Sequence, residues 1–182
     1  NDFDYSIFSV WNSILNESDS FINLIKETPI TIEEWHKQRE IYKCGKAVGN
    51  LALGFSTFFL NRTNRSVIIF KAGPIGGLDQ KGNYSIDVRF NKENLINRVK
   101  KIAKYRNQIT LTNKDAIEIL QNLDHYHPSV DNIFLYLDPP YYKKGKQLYL
   151  NNYGHDDHTK LANVISGLRN EVKWLISYDN IP

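Results

Sequence analysis

The sequence predicts an α/β fold: a mostly parallel, doubly wound sheet with an inserted, mostly helical lobe that carries a β-hairpin. Three observations lead there. From residue 108 onward, apolar runs of strand length alternate with amphipathic runs of helix length. Through the first third, apolar residues recur at three- and four-residue spacing instead. Finally, the apolar run Phe134 to Leu137 stops on Asp138-Pro139-Pro140-Tyr141. Proline cannot donate a ladder hydrogen bond, so a buried strand ends there. That leaves an acid at its carboxyl end, the edge at which open α/β sheets bind ligands.

Taken in order, Ser6 to Leu15 places Ile7, Val10, Trp11 and Ile14 on one helical face, and Ser18 to Glu27 continues as a second helix capped by Ser18 or Asp19. Thr31 to Lys43 opens with Thr31 and Glu34 at capping-box spacing. Lys46 to Arg62 is apolar with small residues and reads as a buried helix. The period then changes. "SVIIFKAGPIGG" is a short strand running into a Gly/Pro turn, and "YSIDVRF" alternates as a second strand, which together make the hairpin. The next helix has Leu95, Val99, Ile102 and Ala103 on one face, with Arg98, Lys100, Lys101, Lys104 and Arg106 over much of the rest. "QITLTNKD" reads as a strand, "AIEILQNL" as a helix and "NIFLYLDPP" as a strand. "HDDHTKLANVISGL" follows as a helix with Leu161, Val164, Ile165 and Leu168 facing the core, and "VKWLISYDN" as a last strand.

The chain has 182 residues, enough for one domain with an inserted lobe, and is 41% hydrophobic and 24% charged, a globular balance. No apolar run approaches the roughly 20 residues of a membrane helix, and the polar amino end is no signal peptide. A single cysteine, Cys44, excludes an intrachain disulfide, suits a reducing cytoplasm, and is expected to be a small buried residue. The net charge of +3 is unevenly spread: residues 1–40 carry −5, residues 41–107 carry +10 and residues 108–182 carry −2. The basic middle is either a polyanion-facing lobe or a solvated surface.

Asp138 stands out by its company. The prolines stiffen the loop and leave carbonyls without amide donors. The carboxylate and a proline carbonyl can both accept from one amino group, and Tyr141 offers a flat face to a planar ring. Asp115 and Asp2 also stand at element boundaries, where a helix cap or turn is the simpler role for either. The acids of "HDDH" (His155 to His158) suit a helix start better than a metal site.

Asp138-Pro139-Pro140-Tyr141 resembles the motif of adenine-specific DNA methyltransferases of the Dam-like class. "NDFDYSIFSVWN" looks like the segment after that class's second strand, "FFLNRTNR" like its Leu-Asn-Arg motif, and "LYLNNYGHDDHTKLANVI" like the loop and helix after the catalytic motif. The resemblance covers nearly the whole chain, with the motifs in order. It implies a Rossmann-like class I methyltransferase sheet formed by residues 1–15 and 108–182, with a DNA target-recognition lobe over residues 16–107. It implies S-adenosyl-L-methionine as cofactor, with Asp2 on its ribose hydroxyls, Phe3 against its adenine, and Asp115 with Ala116 at the adenine edge. Asp138 and the Pro139 carbonyl would hold the target amine, beside Pro140, and Tyr141 would stack on a flipped adenine. Tyr149 and Tyr153 would be lid or core residues. Asn61, Arg62, Asn64, Arg65, Lys100 and Lys104 would meet double-stranded DNA. No metal is required, since methyl transfer from a sulfonium is an in-line displacement carried by alignment. A monomeric, cytoplasmic, bacterial or phage-type enzyme is the expectation. The glycine-rich cofactor loop of that class has no counterpart here; "GPIGG" runs into a strand pattern rather than a helix. With no methionine at all and an opening Asn-Asp-Phe-Asp, the chain reads as a fragment. The alternatives are a catalytically dead DNA-binding fragment, or a methyltransferase acting on RNA or a protein amide.

Overall fold

The computed structural model of the chain describes residues 1–126, 133–142 and 153–180. Two compact units emerge, one from residues 2–113 and one from Asn1 with residues 114–182. The first helix therefore packs with the helices of the expected recognition lobe.

The first unit is helical. Its elements are α1 (Tyr5–Asn16), α2 (Ser18–Glu27), α3 (Ile32–Cys44), α4 (Asn50–Thr63) and α5 (Lys92–Ala103). Capping explains three of the starts: Asp4 accepts from Ser6 N, Thr31 from Glu34 N and Asn91 from Asn94 N. Helix α2 starts after Glu17 without a side-chain cap, so neither Ser18 nor Asp19 serves as one. Phe21, Ile25, Trp35, Phe55, Phe59, Leu60 and Phe90 form the core. Phe58 and Phe59 meet Phe90 at ring-centroid distances of 5.8 and 5.5 Å, an aromatic seam worth more than its area alone.

Helices α1 and α4 pack through small residues rather than an apolar stripe. Trp11 is 42% exposed, whereas Ser9 and Ser13 are fully buried. Their hydroxyls bond Tyr5 O (2.7 Å) and Ser9 O (2.8 Å), and Ser13 also reaches Asn50 O at 3.1 Å. Gly54 completes the contact, because a Cβ there would lie 2.4 Å from Ser9 O. Of the expected stripe, Ile14 is buried and Val10 packs against the core, while Trp11 is exposed; hydrogen-bonded serines read as polar, so the share of Ser9 and Ser13 in the buried face carries no apolar signal. Cys44 is exposed rather than buried, at the last position of α3 before Gly45.

The expected hairpin is absent. Asn64 is fully buried; its side chain accepts from Trp35 Nε1 (2.6 Å) and donates to Ile68 O (2.9 Å) and Ile69 O (3.0 Å). Those carbonyls are thereby withdrawn from any ladder, and Ser66 and Val67 turn the chain at φ of 55° and 65°. "YSIDVRF" forms successive turns, with Val88 N on Ser85 O and Phe90 N on Asp87 O; Ile86 and Phe90 reach the core from them, while Tyr84 and Val88 stay exposed. Gln80 holds this loop, donating to Ile75 O and Gly77 O and accepting from Ile86 N. What remains of strand pairing is an isolated antiparallel bridge, Asn64 to Pro74. "QITLTNKD" is likewise no strand; its run meets Asp2 N at Thr112 O (3.1 Å).

The second unit contains α6 (Ala116–Gln121), α7 (Leu123–Tyr126), β1 (Phe134–Leu137), α8 (His155–Ser166) and β2 (Lys173–Ile176). The strands pair in parallel, Phe134 with Lys173 through Leu137 with Ile176. A parallel pair needs a crossover, and α8 lies between the strands in sequence. Leu120, Leu161 and Ile165 form a core against which Leu135, Leu137 and Ile176 pack. The fold is therefore helix-rich and mixed α/β, with a small two-stranded parallel sheet among the described residues. Strand β1 is covered on one face only: Phe134 and Tyr136 are 65% and 61% exposed.

Two substitutions test the helical unit. Asn64→Ala strands the Trp35 indole N–H and two carbonyls; each buried unsatisfied group costs about 1–3 kcal/mol. Urea denaturation is expected to show a loss of at least about 3 kcal/mol, and a loss below about 1 kcal/mol contradicts the buried node. Val67→Gly relieves a β-branched residue at positive φ, and a gain of about 1 kcal/mol is expected in the same assay.

Candidate functional site

Strand β1 delivers Asp138 exposed at its carboxyl end, followed by buried Pro139 and half-buried Pro140 and Tyr141. The end of β2 fixes this loop. Ser177 N donates to Leu137 O (3.0 Å), and the Ser177 hydroxyl donates to the Asp138 carboxylate. Two residues on, the Asp179 carboxylate accepts from Tyr142 N at 2.9 Å. Parallel pairing is what allows this, since it brings both carboxyl ends to one edge. The result is an oriented acid whose other acceptor positions face solvent, beside an aromatic ring on a stiff loop.

Behind the loop lies a histidine and tyrosine cluster that sequence reasoning missed. His158 is 8% exposed, and its Nδ1 is 2.7 Å from the Tyr178 hydroxyl. Its ring centroid is 5.0 Å from Tyr142, 5.3 Å from Tyr153 and 5.6 Å from Tyr178. The Tyr142 hydroxyl is also 3.1 Å from His155 Nδ1. Burial lowers the His158 pKa, against the pull of Asp157 and Asp179, and burial raises those of Tyr153 and Tyr178. The signal was the spacing His155 to His158, which puts both rings on one helix face. Asp157 caps α8 by accepting from Gly154 N at 2.9 Å. Among the described residues, no cluster of three His, Cys, Asp or Glu side chains is placed to hold a metal ion. Among the described residues, no helix is long and apolar enough to cross a membrane.

Asp115 is the N-cap of α6, accepting from Ile117 N at 2.7 Å, with Ala116 the first helical residue. Asp2 and Phe3 belong to the helical unit. Asp2 Oδ1 accepts from Asp4 N (2.9 Å), and burial raises the carboxyl's pKa, partly countered by that hydrogen bond. Asn113 donates to the carbonyls of Asp2 (2.8 Å) and Phe3 (3.0 Å), holding the segment while the Phe3 ring stays 55% exposed. Tyr149 lies outside the described residues, as does most of the basic loop after Tyr142.

The expected DNA-contacting residues divide. Asn64 is turned inward and its hydrogen-bonding groups serve the core. Arg65, Lys100 and Lys104 are exposed, and Asn61 is half-buried on α4. Arg62 is half-buried, with its guanidinium 6.0 Å above the Phe58 ring. No protein-family model matches the chain, and a search of curated proteins returns no match.

The lowered His158 pKa has a sign. Below pH ~6.5 the unfolded imidazole takes up a proton that the folded one resists, so the unfolded state binds more protons. Stability should fall as the pH drops from about 6.5 through the folded-state pKa, by at most about 1.4 kcal/mol per pH unit. Chemical denaturation across that window should show the loss, and His158→Phe should flatten it. An identical slope in the variant assigns the effect elsewhere.

Proposed function

We propose that this protein is a site-specific, adenine-specific DNA methyltransferase that transfers a methyl group from S-adenosyl-L-methionine to the exocyclic amine of a flipped adenine. The observation that supports it best is the oriented Asp138 carboxylate at the end of β1, with Pro139 buried beside it and Tyr141 following. In this reading the small parallel sheet belongs to a Rossmann-like class I methyltransferase domain, and the helical unit is the target-recognition lobe.

Asp138 and the Pro139 carbonyl accept the two amine protons, which leaves the nitrogen lone pair directed at the incoming methyl. Ser177 holds the carboxylate against rotation, and Asp179 holds the following loop through Tyr142 N. Tyr141 stacks on the extruded base. Such stacking is worth about 1–3 kcal/mol and offsets part of the unpairing cost. The cofactor supplies the methyl group on a positively charged sulfur. The residues present suit its nucleoside: Asp2 brings a carboxylate for ribose hydroxyls, one oxygen of which accepts from Asp4 N, and Phe3 has an exposed ring for adenine. Asp115 keeps its capping bond and offers its second oxygen. Asn61, Arg62, Arg65, Lys100 and Lys104 supply the phosphate-facing side.

Asp138→Ala is expected to abolish methyl transfer by the protein, measured with labelled S-adenosylmethionine on duplex DNA, while DNA affinity stays within about twofold. Turnover within about tenfold of the parent, ~1.4 kcal/mol in barrier, would remove Asp138 from the mechanism. Transfer to RNA or peptide but not to duplex DNA would select the alternative acceptor, and binding without transfer to any would select the DNA-binding module.

A further inference from the structure

Two segments orient Asp138, and each is tied to α8 by a histidine. The Ser177 hydroxyl donates to the Asp138 carboxylate, and the Asp179 carboxylate accepts from Tyr142 N at 2.9 Å. Between those two residues, the Tyr178 hydroxyl lies 2.7 Å from His158 Nδ1. On the opposite segment, the Tyr142 hydroxyl lies 3.1 Å from His155 Nδ1, and the Tyr142 ring packs on that of His158 at 5.0 Å between centroids. The links His155–Tyr142, Tyr142–Asp179 and Tyr178–His158 close a ring on α8, with Asp138 bonded to the residue before Tyr178.

His155 is exposed and can trade its partner for water, whereas His158 is held. It is 8% exposed among the rings of Tyr142, Tyr153 and Tyr178, and its Nε2 is buried without a hydrogen-bond partner among the described residues. That orphan selects the tautomer. A proton on Nε2 buries a donor with no acceptor. A proton on Nδ1 donates to the Tyr178 hydroxyl and leaves only a lone pair at Nε2. Protonating both nitrogens restores the orphan donor and adds a charge. Burial opposes that charge most, Asp157 of α8 and Asp179 beyond β2 favour it, and His155 opposes it. Tyr142, Tyr153 and Tyr178 face the ring as neutral phenols near pH 7.

We propose that His158, as its neutral Nδ1–H tautomer, is a positioning residue for Asp138: it locks the end of β2 to α8, so that Ser177 and Asp179 present the acid in one orientation. The lock is a property of this unit alone; its effect on methyl transfer rests on the methyltransferase reading. Acid releases it, because the imidazolium cannot keep both of its N–H groups bonded in this setting.

Nitrogen-15 NMR from about pH 8 to about pH 5, without cofactor or DNA, reads the lock directly. His158 should show the Nδ1–H tautomer at the upper end. The amides of Tyr142 and Ser177, one from each segment, should shift with the His158 midpoint and lose that shift in H158N. An Nε2–H tautomer, or amides that ignore the midpoint, overturns the proposal. The second experiment measures methyl transfer and duplex binding over the same range. Y178F, which loses only a hydroxyl, and H158F should each lower kcat near neutral pH by about tenfold or more with the DNA dissociation constant unchanged. H158N, which returns a non-titrating N–H near the Nδ1 position, should restore most of kcat and lack the parent's fall in acid. Parent kcat in Y178F, or an unchanged acid limb in H158N, overturns the positioning role, as does a loss confined to DNA affinity. A protein that shows the coupled NMR titration but methylates nothing sinks the function and leaves the lock standing. Methyl transfer indifferent to these variants sinks the lock and leaves the function standing.

Discussion

The helical unit depends on a single buried amide. Asn64 sits with no solvent exposure at the end of α4 and satisfies four partners: the Trp35 indole N–H, the carbonyls of Ile68 and Ile69, and, through its own carbonyl, the Arg89 guanidinium. A polar side chain at that depth is tolerable only if it is fully bonded. Once it is, it fixes the approach of α3, the direction of the chain after α4, and the position of Arg89. The strained turn at Ser66 and Val67 is held in place by this node, since the clamped carbonyls of Ile68 and Ile69 leave the backbone few other paths.

The same economy of contact appears where α1 meets α4. A helix pair joined by leucines stands 8–10 Å apart. Here Gly54 faces the Ser9 carbonyl at a distance no side chain would permit, and the serine hydroxyls bond carbonyls of their own helix while also reaching Asn50 of α4. Close backbone approach replaces bulk, so the aromatic side chains of α4 are free to build the core with Phe21 and Phe90.

In the sheet unit, the geometry of the Asp138 edge depends on strand direction. Two parallel strands end at one edge, so Asp138 just after β1 and Ser177 and Asp179 just after β2 converge there. The acid is thereby oriented by groups on a neighbouring strand, which is the arrangement that makes a pre-aligned acceptor for an amine. The histidines of α8 support the loop from behind through Tyr142 and Tyr178.

The amino-acid sequence by itself determined the helices, because apolar periodicity and caps such as Thr31 and Asn91 act within one turn. It also determined both strands of the sheet and the acid at the end of β1, because proline stops a ladder wherever it occurs. Periodicity did not reveal that Ser9 and Ser13, rather than Trp11, share the inward face of α1 with Val10 and Ile14, or that residues 84–90 form turns, where alternation mimics a strand. Nor did it reveal that Asn64 belongs to the core. Those outcomes rest on which groups find hydrogen-bond partners, and only tertiary packing brings the partners within reach.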